Sequence, residues 1–258
     1  MAIWEDINTL GDFCGVRDVP ELSPAAMMAA AGTEQADVMA LFGGSILCGG
    51  DVLAEAMLRG AARHIIIVGG EGHTTQALRD TVHGYFPEIP TEGRPEAEIF
   101  NEYLYRRYGL RSDLLETAST NCGNNITNML QAIRSAGWPC RSIILCQDAT
   151  MQRRMDATLR KHAPQIRIVN YAAYRAEVLP DLSFNAPPLG MWPLDRYVAL
   201  LMGEIPRLSE EGYGPRGAAF IAHVDIPENV LCAHDRLKSH LNGRDPWNRR
   251  IPENTPKP

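Results

Sequence analysis

The sequence predicts an α/β protein of Rossmann-like, doubly wound design: a mostly parallel sheet with helical elaborations at its N-terminal and C-terminal ends. Two observations carry this expectation. Short apolar runs alternate with segments of helical length and periodicity, the rhythm of right-handed βαβ units. The runs are also nearly free of polar residues, as strands covered on both faces require. Most of them exit into Gly, Ser, Thr or Asp, the residues that turn a chain from a strand into a helix.

The first ~35 residues read as helical packing, with Ile7, Leu10 and Phe13 at helical spacing and Ser23-Pro24 opening a second helix. The sheet begins with Asp37–Phe42 (DVMALF), which ends in Gly43-Gly44-Ser45. A helix with Val52, Leu53, Ala56, Met57 and Gly60 on one face leads to His64–Val68 (HIIIV) and then Gly69-Gly70-Glu71-Gly72. His73-Thr74-Thr75 opens the next helix, and after a Pro-containing loop Glu96–Tyr108 forms another. Leu114–Glu116 reads as a short strand, followed by Ser119-Thr120-Asn121 capping a helix through Ile126, Met129, Leu130 and Ile133. Ser142–Gln147 is a buried strand ending at Asp148, Met151–His162 a basic helix, and Ile166–Tyr171 a further strand. Beyond Val178 the rhythm changes: a Pro-rich excursion, a helix over Leu194–Gly203, a strand over Phe220–Asp225 and a last helix over Glu228–Leu241. The expected division is one domain over 1–242, with its core at about 37–175 and an elaboration over 176–242. The tail at 243–258 is expected to be loose or wrapped along the surface.

Bulk properties narrow the function. A formal net charge of −6 offers no basic field for a polyphosphate backbone, which argues against nucleic acid. No apolar run approaches the ~20 residues that cross a bilayer, and Met1–Glu5 has no secretory pattern, so a cytoplasmic protein is expected. The six cysteines, at 14, 48, 122, 140, 146 and 232, have neither Cys-x-x-Cys nor zinc spacing. No metal is indicated, and the thiols read as reduced and mostly packed. Nothing in the sequence sets the oligomeric state; a homo-oligomer is compatible with it.

In a doubly wound sheet, ligands bind outside the carboxyl ends of the strands. Four exits of this chain gather polar groups there: Gly43-Gly44, Gly69 to Thr75, Ser119 to Asn121, and Asp148 to Met151. Glycines let the backbone approach a ligand, and helix starts present free N–H groups to an anion. A tight turn explains each glycine pair equally well when taken alone; four exits in register point to a small nucleotide-like ligand. The glycine loop lacks the Gly-Lys-Ser/Thr of a P-loop and has only two of the three dinucleotide-fingerprint glycines. His73, at a helix start, could contact an anion or move a proton. Asp148 is costly at a strand end unless used or paired. Glu96 could bind a ribose or an ammonium group, or simply favour its helix dipole. Arg153-Arg154 could meet a phosphate, with a solvated basic face as the plain alternative. His223 and Asp225, two apart on the expected strand, read as a hydrogen-bonded pair.

Several longer words occur in one order: GGEGHTT at 69–75, GRPEA at 93–97, STNCGNN at 119–125, QDATMQRR at 147–154, WPLDRY at 192–197, GEIPRL at 203–208, GYGPRG at 212–217 and HVD at 223–225. Together they closely resemble the SanA/ElyC/YdcF group of bacterial domains, over roughly Asp37 to Pro227, and the YdcF branch in particular. The resemblance implies a Rossmann-like fold and binding of S-adenosylmethionine. The residues it carries over are Gly69, Gly70, Gly72, His73, Thr74, Thr75, Glu96, Thr120, Asn121, Asn125, Asp148 and Arg154, to which the first strand exit adds Gly43 and Gly44. If the protein is an enzyme, His73 and Asp148 are the catalytic candidates. This chain departs from the group in having Asn124 where a Glu is usual, and in lacking a histidine near Thr150-Met151. Three readings follow: an S-adenosylmethionine-binding protein or transferase, a hydrolase or transferase acting on a phosphorylated metabolite, and a non-catalytic interaction module.

Overall fold

The computed structural model describes residues 2–241 except 45 and 73, so the expected tail at 243–258, Ser45 and His73 lie outside the described residues. The chain opens with α1 (Ile3–Cys14) and α2 (Pro24–Ala31). Ser23 caps α2 by accepting from the Ala26 N–H at 3.3 Å, and Gly32, at φ 63°, ends it. Then come β1 (Ala36–Phe42), α3 (Cys48–Leu58), β2 (Ala62–Val68), α4 (Thr75–Tyr85), α5 (Glu96–Tyr108), β3 (Leu114–Glu116), α6 (Cys122–Ser135), β4 (Ser142–Cys146), α7 (Gln152–His162) and β5 (Arg167–Asn170). A two-residue hairpin, β6 (Glu177–Val178) and β7 (Phe184–Asn185), precedes α8 (Leu194–Leu208) and α9 (Glu228–His240).

The five main strands form one all-parallel sheet in the order β3-β2-β1-β4-β5. This is the doubly wound, Rossmann-like arrangement that the apolar runs imply. All seven residues of β1 are buried because helices cover both faces. Alternate residues feed two cores. Met39 and Leu41 of β1, with Ile65 and Ile67 of β2, join α3, α5, α8 and α9 on one face. Val38, Ala40 and Phe42, with Ile66 and Val68, pack against α6 and α7 on the other. The strand order reverses between β1 and β4, so the crevice outside their carboxyl ends is where ligands of this fold bind.

The N-terminal and C-terminal elaborations share the first core and touch each other. Arg236 of α9 forms a fork of hydrogen bonds with the buried Asp6 of α1, the shortest at 2.5 Å. Among the described residues no helix is long and apolar enough to cross a membrane.

Three expectations are corrected. Phe220–Asp225 is not a strand, because its backbone donors are taken elsewhere: Phe220 and Ile221 donate to the Tyr213 carbonyl and Ala222 to that of Ala157. The helix over Leu194–Gly203 continues to Leu208, with Pro206 in its last turn. Gly60 lies outside its helix, at φ 66°, where it reverses the chain into β2.

Candidate functional site

The carboxyl ends of β1, β2 and β3 are tied together beyond the strands. Gly43 donates its N–H to the Val68 carbonyl at 2.7 Å, and Gly69 to that of Glu116 at 2.9 Å. The start of α5 is pinned to the same place: the Glu96 N–H bonds the Gly70 carbonyl at 3.0 Å and that of Ala97 the Gly69 carbonyl at 2.8 Å. The Glu96 side chain therefore lies directly over two glycines. A Cβ on Gly43 would come 2.3 Å from Glu96 Oε2 and 2.7 Å from its Cβ; on Gly69 it would come 3.0 Å from the same Cβ. Gly70 is equally constrained, since a Cβ there would meet the Ser119 and Thr117 carbonyl oxygens at 2.2 and 2.6 Å. At both exits the glycines make room for neighbouring protein atoms.

Glu96 is 7% exposed. Its Oε1 accepts from the Thr75 hydroxyl at 2.8 Å, and Thr75 Oγ1 accepts in turn from the Gly72 N–H at 2.7 Å. Burial pushes the Glu96 carboxyl above the ordinary carboxylate range, while the Thr75 and Thr74 hydroxyls and the charge of Arg79 pull against that shift. This relay links the β2 glycine loop to α5. Gly72 approaches Thr120 on the far rim, where a Cβ would sit 3.5 Å from the Thr120 carbonyl oxygen.

Asp148 marks the exit of β4. Its Oδ1 accepts from the Thr150 N–H and hydroxyl, at 2.8 and 2.7 Å, and from Tyr174 Oη at 2.9 Å. Trp192 Nε1 approaches Oδ2 at 3.4 Å. The Asp148 N–H donates to Gln147 Oε1 at 2.6 Å, and a Cβ on Gly44 would lie 3.6 Å from that same Gln147 oxygen. Gly44, Gln147 and Asp148 thus meet where β1 and β4 diverge, together with Phe100 and Tyr174 around a small cavity.

The remaining sequence candidates separate into other roles. Asn121 caps α6 by accepting from the Asn124 N–H at 3.0 Å. Asn124 answers by accepting from the Thr120 and Asn121 N–H groups at 3.0 and 2.9 Å, and donates to the Thr120 hydroxyl at 3.2 Å. A Glu at the third position of a helix makes the same reciprocal bonds, so the Asn at 124 keeps the cap. Asn125 is half-buried in the first turn of α6. Arg154 points away from the crevice into a buried ion pair: Nε and Nη2 reach Glu204 at 2.6 and 3.0 Å, and Arg207 joins the same carboxylate at 3.1 Å. Arg153 donates to the Phe13 carbonyl and lies over the Phe13 ring, 4.1 Å from its centroid. His223 and Asp225 do bond, at 2.8 Å, with Glu210 on the other ring nitrogen. His73 and Ser45 lie outside the described residues.

Glu116, at the end of β3, is a buried carboxylate that the sequence reading passed over. Its Oε1 accepts from the Ala118 and Ser119 N–H groups and from Asn128, whereas Oε2 has no partner among the described residues. The rule that singled out Asp148, a carboxylate ending a buried strand, also applies to it. All six cysteines are free thiols, and burial pushes Cys146 up to about 12.

No family model matches the chain. An uncharacterized protein of Streptomyces coelicolor is similar to it, with 26% identity over 240 residues that span 92% of this chain and 91% of that protein. The likeness therefore extends over most of the chain, the central sheet included.

Proposed function

We propose that the chain binds S-adenosylmethionine in the crevice outside β1, β2 and β4, as the resemblance to the YdcF branch implies. The observation that supports this most is Glu96, a buried carboxylate held over Gly43 and Gly69 whose Oε1 accepts from the Thr75 hydroxyl. Burial raises the cost of its charge against the pull of the threonine hydroxyls and Arg79, and a ligand that brings a sulfonium and an ammonium group offsets that cost. Asp148, at the β4 exit, supplies a second carboxylate across the strand reversal. In a transfer reaction the role of these residues is to orient the ligand and keep water from it, a contribution that needs no strong base.

The phosphorylated-metabolite reading has less support at this site. It relies on Arg153 or Arg154; Arg153 bonds the Phe13 carbonyl, and Arg154 bonds Glu204 and lines a different cavity. Oδ1 of Asp148 is likewise engaged by Thr150 and Tyr174, which suits positioning better than proton transfer.

Calorimetry with S-adenosylmethionine and with S-adenosylhomocysteine, which lacks the sulfonium charge, tests the proposal. The charged ligand is expected to bind more tightly, and Glu96→Gln to weaken it by about 10- to 100-fold, the worth of a hydrogen bond to a charged group. Absence of heat and of any thermal shift at millimolar ligand would refute the reading.

A further inference from the structure

A second cavity is lined by the first turn of α6, by α7 and by the loop that follows α8, and shares no residue with the small cavity at the β1 and β4 exits. Its volume is about 480 Å³, inside the range of roughly 300–1,000 Å³ typical of small-molecule sites. Its chemistry is one-sided. Arg154, Lys161 and His162 line it, and among the described residues no Asp or Glu does, although the chain as a whole carries a formal net charge of −6.

Arg154 is the fixed element. Glu204 holds Nε and Nη2 on one edge, and the other N–H groups of the guanidinium have no hydrogen-bond partner among the described residues. A guanidinium anchored in this way presents its spare donors in a set direction, an arrangement suited to carboxylate or phosphate. Lys161 is exposed one turn and more along α7 and adds a second cation at the mouth.

The opposite wall is aromatic. Tyr213 and Phe220 pack edge to face with ring centroids 5.4 Å apart, and Phe220 remains 58% exposed. An exposed phenyl ring beside a cavity gains from being covered by apolar surface, and a planar ring covers it with favourable offset or edge geometry. Thr127 and Thr158 add hydroxyl groups between the two walls.

We infer that this cavity binds a small organic anion carrying a planar ring, with Arg154 and Lys161 on the anionic group and Tyr213 and Phe220 against the ring. The inference stands on this cavity alone and does not rest on the S-adenosylmethionine reading.

Phenyl phosphate, inorganic phosphate and phenol are the probes, titrated into the full chain by calorimetry. Phenyl phosphate is expected to bind saturably and more tightly than either fragment. Lys161→Glu is expected to weaken it by at least about tenfold, a change of about 1.4 kcal/mol. Phe220→Ala is expected to weaken phenyl phosphate while leaving inorganic phosphate unchanged. Both side chains are exposed, and matching thermal unfolding of the variants and the parent checks that the fold is intact. Absence of saturable phenyl phosphate binding at millimolar concentration overturns the inference. So does binding that neither variant alters, or binding that S-adenosylmethionine displaces, since the two cavities would then be one site.

Discussion

Adding a single methyl group at Gly43 tests the geometry on which the crevice depends. In Gly43→Ala the new Cβ would lie 2.3 Å from Glu96 Oε2 and 2.7 Å from Glu96 Cβ, against an ordinary contact of 3.4–4 Å. The glutamate has little room to retreat. Its backbone N–H is bonded to Gly70 and its Oε1 to Thr75, and its Cβ already approaches Gly69 closely. Overpacking of this kind costs about 1–3 kcal/mol, and displacing the carboxylate from the Thr75 hydroxyl costs about 1.5–3 kcal/mol more. A loss of about 4 kcal/mol lowers the unfolding midpoint of a domain this size by roughly 10 °C. Differential scanning calorimetry of Gly43→Ala, Glu96→Ala and the double variant provides the cycle. Truncating Glu96 removes the obstacle, so the double variant is expected to be much more stable than the sum of the single losses allows, with a coupling above about 1.5 kcal/mol. A Gly43→Ala midpoint within about 2 °C of the parent, or additive losses in the cycle, would refute the placement of Glu96 over β1.

Three further outcomes are expected. Because burial raises the Glu96 carboxyl, its contribution to stability is complete below the ordinary value of 4.5 and is lost as the pH rises through the raised folded value. Glu96→Gln removes that loss, so the fall in unfolding midpoint between acidic and neutral pH is expected to be smaller in the variant; an unchanged profile would mean that Glu96 is not perturbed. Glu204→Ala leaves the Arg154 guanidinium buried without its carboxylate and is expected to cost about 3–5 kcal/mol in urea denaturation; a loss under about 1 kcal/mol would contradict the ion pair. Asn124→Ala breaks the α6 capping box and is expected to cost about 1 kcal/mol, whereas Asn124→Glu can make the same reciprocal bonds and is expected to stay within about 0.5 kcal/mol of the parent; thermal denaturation separates the two.

The sheet was legible because its strands are buried on both faces, which writes them as unbroken apolar runs such as Asp37–Phe42. The same cue failed at Phe220–Asp225, where β-branched and aromatic residues serve a loop whose N–H groups bond Tyr213 and Ala157 rather than a neighbouring strand. β6 and β7 have two residues each, too few for any periodicity. At the site, Gly43, Gly69 and Glu96 could be picked out singly as strand-exit and helix-start residues, but nothing local says that Glu96 covers both glycines, because the contact joins segments 53 and 27 positions apart. The ion pair of Arg154 was hidden for the same reason. Its partner, Glu204, is 50 residues away, and without that partner the arginine reads as a free cation.

The pairing of α1 with α9 has a consequence for how the chain is made. The apolar face of α1, with Ile7 and Leu10, shares a core with Val230, Ala233 and Leu237 of α9. A ribosome adding about 5–20 residues per second takes roughly 10–40 s to travel from the end of α1 at residue 14 to the start of α9 at residue 228. For that interval the first helix to emerge lacks its α9 partner and Asp6 has no Arg236. The central sheet is complete by residue 170, well before the helix arrives that closes this layer. A nascent chain halted between those points would carry a finished sheet and an uncovered helical face, the form in which a chaperone would meet it.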